Sequence, residues 1–228
     1  MNFRHRRRLV STTSADTEKK VYDHKDNSAY VAWDVKSFDL SVLVENCTGK
    51  EFPNLPATDI AVTWSTTDEY KQYIDITPEG KVTFKAVKPI DEIVVTATSV
   101  SDTTLTKDFT IEVVYVDTVS YKFNNKDAIT NDAFTLLYGE ADTAETYGLS
   151  DITVTPNITV SEDLIKLDDD VYLTLPGTND ILTFVKDSTT TLQPTSTTID
   201  GKQKVTVKAG AYSYLDKELS LTLFNINS

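Results

Sequence analysis

The amino-acid sequence predicts an all-β protein, in which an extended N-terminal arm precedes two antiparallel β-sandwich domains. Three observations lead to this prediction. Apolar residues alternate with polar ones over many short runs, which is the period of a half-buried strand. Turn-forming residues interrupt these runs about every ten residues, a spacing typical of sandwiches. No stretch of useful length has the 3.6-residue period of an amphipathic helix.

The arm is predicted over residues 1–30. It begins with all four arginines of the chain, Arg4, Arg6, Arg7 and Arg8, whereas every other basic residue except histidine is a lysine. Residues 9–30 are rich in Ser, Thr, Asp, Lys and Asn, so they carry too little apolar surface to fold alone. We therefore expect an extended segment with a maximum reach of about 100 Å.

The first sandwich is predicted over residues 31–116. Turn residues such as Pro78, Glu79 and Gly80 separate its strand candidates. Within one candidate, Val62 and Trp64 fall on the same face, which predicts Trp64 as a structural core residue. The six candidates are residues 38–44, 59–64, 73–76, 81–84, 92–100 and 107–116.

The second sandwich is predicted over residues 117–228. Its strand candidates have the same style but repeat no sequence of the first domain. They are residues 119–123, 134–138, 151–160, 171–175, 181–185, 204–208 and 218–224. The polar, Thr-rich residues 189–198 are predicted to form a loop or a weak edge strand.

Net charge and rare residue types limit the possible functions. The chain has a net charge of −13, and removing the four arginines leaves −17 on the remainder, which should repel phosphate backbones and anionic lipid. This charge disfavours a nucleic-acid partner. With one cysteine, Cys47, and two histidines, His5 and His24, the usual parts for thiolate zinc sites and nucleophilic catalysis are scarce. We predict no enzymatic activity, no cofactor and no metal site.

The same sequence predicts no contact with membranes. No apolar run approaches the roughly 20 residues that a membrane-spanning helix needs. The basic start is followed by Leu9, Val10 and then polar residues, without the apolar core of a signal peptide. We therefore expect a protein that is made and kept in a cytosol, or that leaves it only by lysis or as part of a larger particle.

Several short motifs follow one another in the first domain. They are Trp64-Ser65-Thr66, Glu79-Gly80-Lys81-Val82, Val95-Thr96-Ala97 and Phe109-Thr110-Ile111-Glu112-Val113. In this order they resemble the group 2 bacterial Ig-like domain over about residues 32–116. The resemblance implies an immunoglobulin-like sandwich with a structural or adhesive role. The sequence departs from the family pattern at residues 69–73 and 89–92, both in predicted loops.

The whole chain resembles a capsid decoration, auxiliary or head-fibre protein of a tailed, crAss-like phage. The features that carry this resemblance are the arginine-tipped N-terminus, the Ig-like bodies, the acidic surface and the near-absence of cysteine. It implies a non-enzymatic virion protein on the capsid surface. The implied partners are the major capsid protein or other virion subunits, and a homo-oligomer is expected.

The predicted partner-binding site lies at the tip of the arm. Arg4, Arg6, Arg7 and Arg8 can pair with acidic grooves through charge-assisted hydrogen bonds, and Phe3 and Leu9 can serve as apolar anchors. A solvated basic tail is the simplest alternative. A genome-binding coat protein with a basic arm is another, in which four arginines would give weak, salt-dependent contact with DNA.

A second functional interpretation is an adhesin or fibre module that recognises host glycans. Its candidate contacts are the loop aromatics Tyr70, Tyr73, Tyr212 and Tyr214. These side chains would equally suit contact with a neighbouring subunit or local packing.

Overall fold

The computed structural model describes residues 4–10, 19–25, 27–45, 61–138, 145–177, 180–195 and 201–226. For residues 4–10, 24–25, 42–45 and 138 it describes the backbone alone. These residues form eighteen strands and three 3₁₀ helices, at Trp33–Val35, Tyr70–Gln72 and Ser213–Leu215, which confirms the predicted all-β class. Among the residues described, no helix has both the length and the apolar character that crossing a bilayer requires.

The chain divides into two compact units, and the first contains Met1–Tyr115 together with Asn157–Leu167. Its two sheets have the strand orders β1-β4-β7-β6 and β2-β3-β9-β8-β5. All pairs are antiparallel except β3 with β9, which is parallel. The strands are β1 (Arg4–Val10), β2 (Val21–Lys25), β3 (Ser28–Ala32), β4 (Ser37–Glu45), β5 (Val62–Thr66), β6 (Ile74–Ile76), β7 (Lys81–Phe84), β8 (Glu92–Ser99) and β9 (Thr106–Val114).

The core of the first unit follows from the period-two pattern of its strands. Along β8, Ile93, Val95 and Ala97 are buried and the residues between them are partly exposed. Trp64 of β5 lies opposite Ala97 and is only 4% exposed, in the position that the sequence predicts. The turn before β7 brings Gly80 against the Trp64 ring, where an added Cβ would lie 2.7 Å from the indole. Only glycine fits this approach.

The structure differs from the sequence prediction at the N-terminus. Residues 1–30 are predicted as an arm, yet β2 and β3 form a hairpin through Asn27, which has a left-handed φ of 64°. Ala29 and Val31 of β3 are fully buried because β3 pairs with β9, about 80 residues further along the chain. The prediction of an arm is based on the few apolar residues within this segment. It could not detect pairing with β9, which is distant in the sequence.

A second difference concerns residues 157–167, which follow Pro156 in sequence but belong to the first unit. Ile165 is buried in a small cluster with Ala32 and Val114. The amide of Lys166 donates to the carbonyl of Lys19 at 2.8 Å. The chain therefore leaves the first unit after Tyr115 and returns to it at Asn157, and the sequence pattern does not indicate this returning segment.

The second unit contains Val116–Pro156 and Asp168–Ser228. Its two sheets have the orders β11-β10-β13-β16-β15 and β12-β18-β17-β14, and all pairs are antiparallel except β12 with β18. The strands are β10 (Val116–Phe123), β11 (Lys126–Asp127), β12 (Ala133–Tyr138), β13 (Tyr147–Pro156), β14 (Val171–Thr174), β15 (Leu182–Phe184), β16 (Thr191–Pro194), β17 (Gly201–Ala209) and β18 (Lys217–Asn225).

Side chains from both sheets fill the core of the second unit. Phe123 of β10 meets Phe134 of β12 edge-to-face, with ring centroids 5.2 Å apart. Leu192 of β16 is fully buried in the same cluster. The Thr-rich residues 189–198 are predicted as a loop or weak edge, but β16 lies between β13 and β15 because Leu192 supplies the one core-facing apolar side chain that this position needs.

Candidate docking surface

The four arginines of the sequence lie on a strand at the edge of a sheet. β1 occupies one end of the order β1-β4-β7-β6 and pairs with β4 over its whole length. The Cα register places Arg4 opposite Glu45 and Leu9 opposite Leu40. Phe3, the other predicted anchor, lies outside the described residues. The predicted arm tip is therefore a paired strand of the first unit, where the sequence predicts a loose leader.

This placement combines two kinds of binding group on one segment. An edge strand presents backbone N–H and C=O groups on the side away from its neighbour, and these can accept a further strand. Arginine contributes planar guanidinium groups that bind carboxylate or phosphate in a bidentate manner. Since the rest of the chain carries a strong negative charge, β1 is the segment suited to an acidic partner.

Two of the four candidate tyrosines lie in one short loop of the first unit. Tyr70 begins the 3₁₀ helix Tyr70–Gln72, and the amide of Tyr73 donates to the Tyr70 carbonyl at 2.9 Å. Both side chains are half-buried. Burial, with additional effects from Glu69 and Glu92, raises the pKa of the Tyr70 hydroxyl. Tyr70 and Tyr73 are thus adjacent and partly accessible.

The other two candidate tyrosines lie in the second unit, and one of them requires a correction. Tyr212 is fully buried, with 0% of its surface exposed, so it cannot contact a glycan on the surface of this fold. Its ring packs edge-to-face on Tyr214 at 6.1 Å. The Tyr214 hydroxyl donates to the carbonyl of Val116 at 2.6 Å. This aromatic pair thus holds the Ser213–Leu215 turn next to the start of β10.

The structure also contains a polar cluster that sequence reasoning missed. The side-chain amide of Asn157 donates to the Asp91 carboxylate at 3.0 Å and to the Val113 carbonyl at 2.9 Å, and its oxygen accepts the Tyr115 amide at 2.9 Å. The Tyr115 hydroxyl also donates to Asp91, at 3.0 Å. Asn157 thereby anchors the returning segment 157–167 to the end of β9. The only sequence signal is an asparagine after Pro156, which is common in turns.

Comparisons with known proteins identify no family for this chain. No protein-family model and no curated protein matches the chain. Among solved structures, it is similar to extracellular domains 3–5 of Drosophila OTK, at 10% identity over 96% of this chain and 62% of that one, with a TM-score of 0.30. It is also similar to domains 4–9 of the surface layer protein SbsC, at 14% identity over 96% of this chain and 30% of that one, with a TM-score of 0.34. A third similar structure is human protocadherin-24 EC1-2, at 10% identity over 96% of this chain and 98% of that one, with a TM-score of 0.29.

The chain spans less than two thirds of the first two of these structures. The prediction of β-sandwich domains agrees with the two-sheet topology of each unit.

Proposed function

We propose that this protein is a non-enzymatic structural protein of a virion, and that it docks on an acidic capsid lattice through β1. The partner is the major capsid protein or another virion subunit. The location is the capsid surface, reached after assembly in the host cytoplasm. The two β-sandwich units form the projecting body.

One observation carries this proposal, namely that every arginine of the chain lies on a single strand at a sheet edge. Four guanidinium groups within five residues would give a dense set of charge-assisted hydrogen bonds to carboxylates. The open backbone edge of β1 adds a way to align with a strand of the partner. Many copies on a lattice would multiply a modest affinity per site if neighbouring copies hold one another at high effective concentration.

The resemblance to the group 2 bacterial Ig-like domain belongs to the same proposal. Three features of its pattern support this part of the proposal. Trp64 is buried on β5, Gly80 forms the tight turn before β7, and Phe109 to Val113 lie on β9. A module of this kind supplies a stable body and leaves specificity to added segments such as β1.

The test is co-sedimentation of purified protein with candidate capsid shells. The variant Arg4→Ser, Arg6→Ser, Arg7→Ser and Arg8→Ser should lose most of its occupancy. A charge-matched control replaces four exposed lysines, Lys81, Lys126, Lys186 and Lys202, by serine, and should bind nearly as well as the unaltered protein. Equal loss in both variants would reduce the effect to net charge and contradict specific docking through β1.

A third variant separates guanidinium recognition from simple attraction. With the four arginines replaced by lysines the charge is kept, but the bidentate geometry is lost. We expect intermediate occupancy with a steeper loss on adding salt. If the serine variant instead binds shells normally but self-associates, then the arginines only protect the edge strand against pairing, and the proposal is wrong.

The two alternative functions have distinct outcomes. A genome-binding protein would retain DNA at physiological salt and release it in the serine variant. A glycan-binding adhesin would give a glycan-array signal that survives the serine changes and is lost when Tyr70 and Tyr73 are replaced by alanine. Either result without shell binding would replace the proposed function.

A further inference from the structure

β12 is an edge strand, and no strand among the described residues pairs with its outer side. It forms one end of the sheet β12-β18-β17-β14 in the second unit and pairs in parallel with β18. The amide of Ser220 donates to the carbonyl of Asp132 at 2.6 Å. Since alternate residues of a strand direct their N–H and C=O groups to opposite sides, Phe134 and Leu136 bond to β18.

The residues between them direct their backbone groups to the open side. These are Ala133, Thr135 and Leu137, and all three are exposed. The Tyr147 hydroxyl donates to the carbonyl of Leu137 at 3.1 Å, as expected for a group that faces away from β18. Within the described part of the chain, no other hydrogen bond reaches the outward backbone groups of Ala133 and Thr135.

The other described sheet edges are short, charged or covered. β6, β11 and β15 have three residues or fewer, and β1 and β2 carry charged residues. The amide of Trp64 on β5 donates to the carbonyl of Pro78 at 2.9 Å, and that of Leu173 on β14 donates to Thr189 at 2.8 Å. By contrast, β12 has six residues, Ala-Phe-Thr-Leu-Leu-Tyr, with no charge, proline or glycine. Edge strands normally carry such protection.

We propose that β12 pairs antiparallel with β12 of a second copy of this chain, and that it thereby joins the two four-stranded sheets across a two-fold axis. An antiparallel edge is self-complementary, so the same patch serves both copies. With the axis at Thr135, each Thr135 lies opposite Thr135 of the second copy and Ala133 lies opposite Leu137. About four new hydrogen bonds would form, following the antiparallel pattern, since the Leu137 carbonyl already accepts the Tyr147 hydroxyl.

The uncharged edge and the apolar surface beside it favour a second copy as the occupant. Each chain carries a net charge of −13, so two copies approach best at a strand without charged residues. On the outer face of the same sheet, Leu137 is 55% exposed and lies next to Phe224, which is 48% exposed. Pairing at the edge extends this apolar face across both copies, and both sheets keep their cores on the same side.

The test is sedimentation velocity of the full chain from about 1 μM to about 300 μM, a range that covers dissociation constants typical of small interfaces. We expect a concentration-dependent dimer that strengthens with added NaCl, since salt screens the repulsion between acidic copies. Thr135→Lys places two like charges opposite each other and should raise the dissociation constant more than tenfold. Thr222→Lys is the matched control, one strand inward at the same register, and should dimerise normally.

A second variant tests the edge without changing charge. Thr135→Pro removes only the outward N–H and leaves the bonds to β18 in place, so it should fold and fail to dimerise. A protein that stays monomeric over the whole range, or a Thr135→Lys variant that dimerises like the unaltered protein, would overturn the proposal. Dimerisation through β12 does not depend on docking through β1. The variant with four serines in place of the arginines should therefore keep the dimer.

Discussion

Gly80 supports the core tryptophan of the first unit, and replacing it by alanine tests the packing of that core. Gly80 has a φ of +99°, a backbone conformation that side chains other than glycine rarely adopt. A Cβ at this position would lie 2.7 Å from Cδ1 and Nε1 of Trp64 and 2.8 Å from the carbonyl oxygen of Leu40. One of these neighbours is a backbone atom, so moving a side chain cannot relieve the clash.

Two contributions give the expected loss of stability. The left-handed backbone costs about 1 kcal/mol for alanine relative to glycine. Overpacking in a closed core costs about 1–3 kcal/mol more. We therefore expect Gly80→Ala to lower the free energy of unfolding by about 3 kcal/mol. Gly177→Ala is the control. Gly177 has a φ of +79°, but no atom of the described residues lies within 4 Å of an added Cβ, so only the backbone contribution of about 1 kcal/mol applies.

The assay is urea denaturation. Tryptophan fluorescence reports unfolding of the first unit, since both tryptophans, Trp33 and Trp64, lie there. Gly177 belongs to the second unit, so unfolding of the Gly177 variant is measured by circular dichroism. In a double-mutant cycle, Trp64→Phe should recover about 1 kcal/mol of the Gly80→Ala loss by removing indole atoms from the contact. A Gly80→Ala variant no less stable than Gly177→Ala would refute the close approach of this turn to Trp64.

Three further substitutions test other buried polar groups by chemical denaturation. The Tyr121 hydroxyl is buried without a hydrogen-bond partner among the described residues, and burial raises its pKa to about 12. The fold thus favours the neutral hydroxyl. The free energy of unfolding therefore keeps this contribution in full below pH 10 and falls by about 2–3 kcal/mol as the pH rises towards 12. Tyr121→Phe should remove this fall and leave the free energy of unfolding at pH 7 unchanged. Asn157→Ala should cost about 2 kcal/mol through its lost bonds, including the one to Asp91. Lys20→Met breaks a 2.7 Å ion pair with Asp34, which is 2% exposed, and should cost about 3 kcal/mol, most of it recovered by adding Asp34→Leu. Losses below about 0.5 kcal/mol for the last two would contradict the buried contacts.

Sequence periodicity predicts the strands well where one face is buried and turns are explicit. The candidate at residues 81–84 coincides with β7, and Trp64 occupies the core as its alternation with Val62 indicates. Both features depend on residues close together in the chain. The turn residues Pro78 and Gly80 then fix where β6 ends and β7 begins.

Long-range pairings are the part that the sequence could not predict. The hairpin of β2 and β3 looks like a polar linker because its partner β9 is distant in sequence. The two parallel pairs, β3 with β9 and β12 with β18, have no local signature, because a strand's own pattern does not identify its neighbour. The same applies to Asn157, whose three partners come from two other segments.

The candidate site shows the same limit. The confinement of arginine to residues 4–8 is visible in the sequence alone, and so is the charge contrast with the rest of the chain. Its placement on an edge strand depends on the register with β4, which only the fold supplies. Tyr212 is misassigned to the surface because a tyrosine in a turn has the same local sequence whether its ring faces solvent or the core.

Backbone hydrogen exchange of the shell-bound protein tests the central claim most directly. If β1 is the docking segment, the amides of residues 4–10 should exchange at least tenfold more slowly on the shell than in the free protein. The amides of β17 in the second unit should change little. Unchanged exchange across residues 4–10 at full occupancy would contradict the claim.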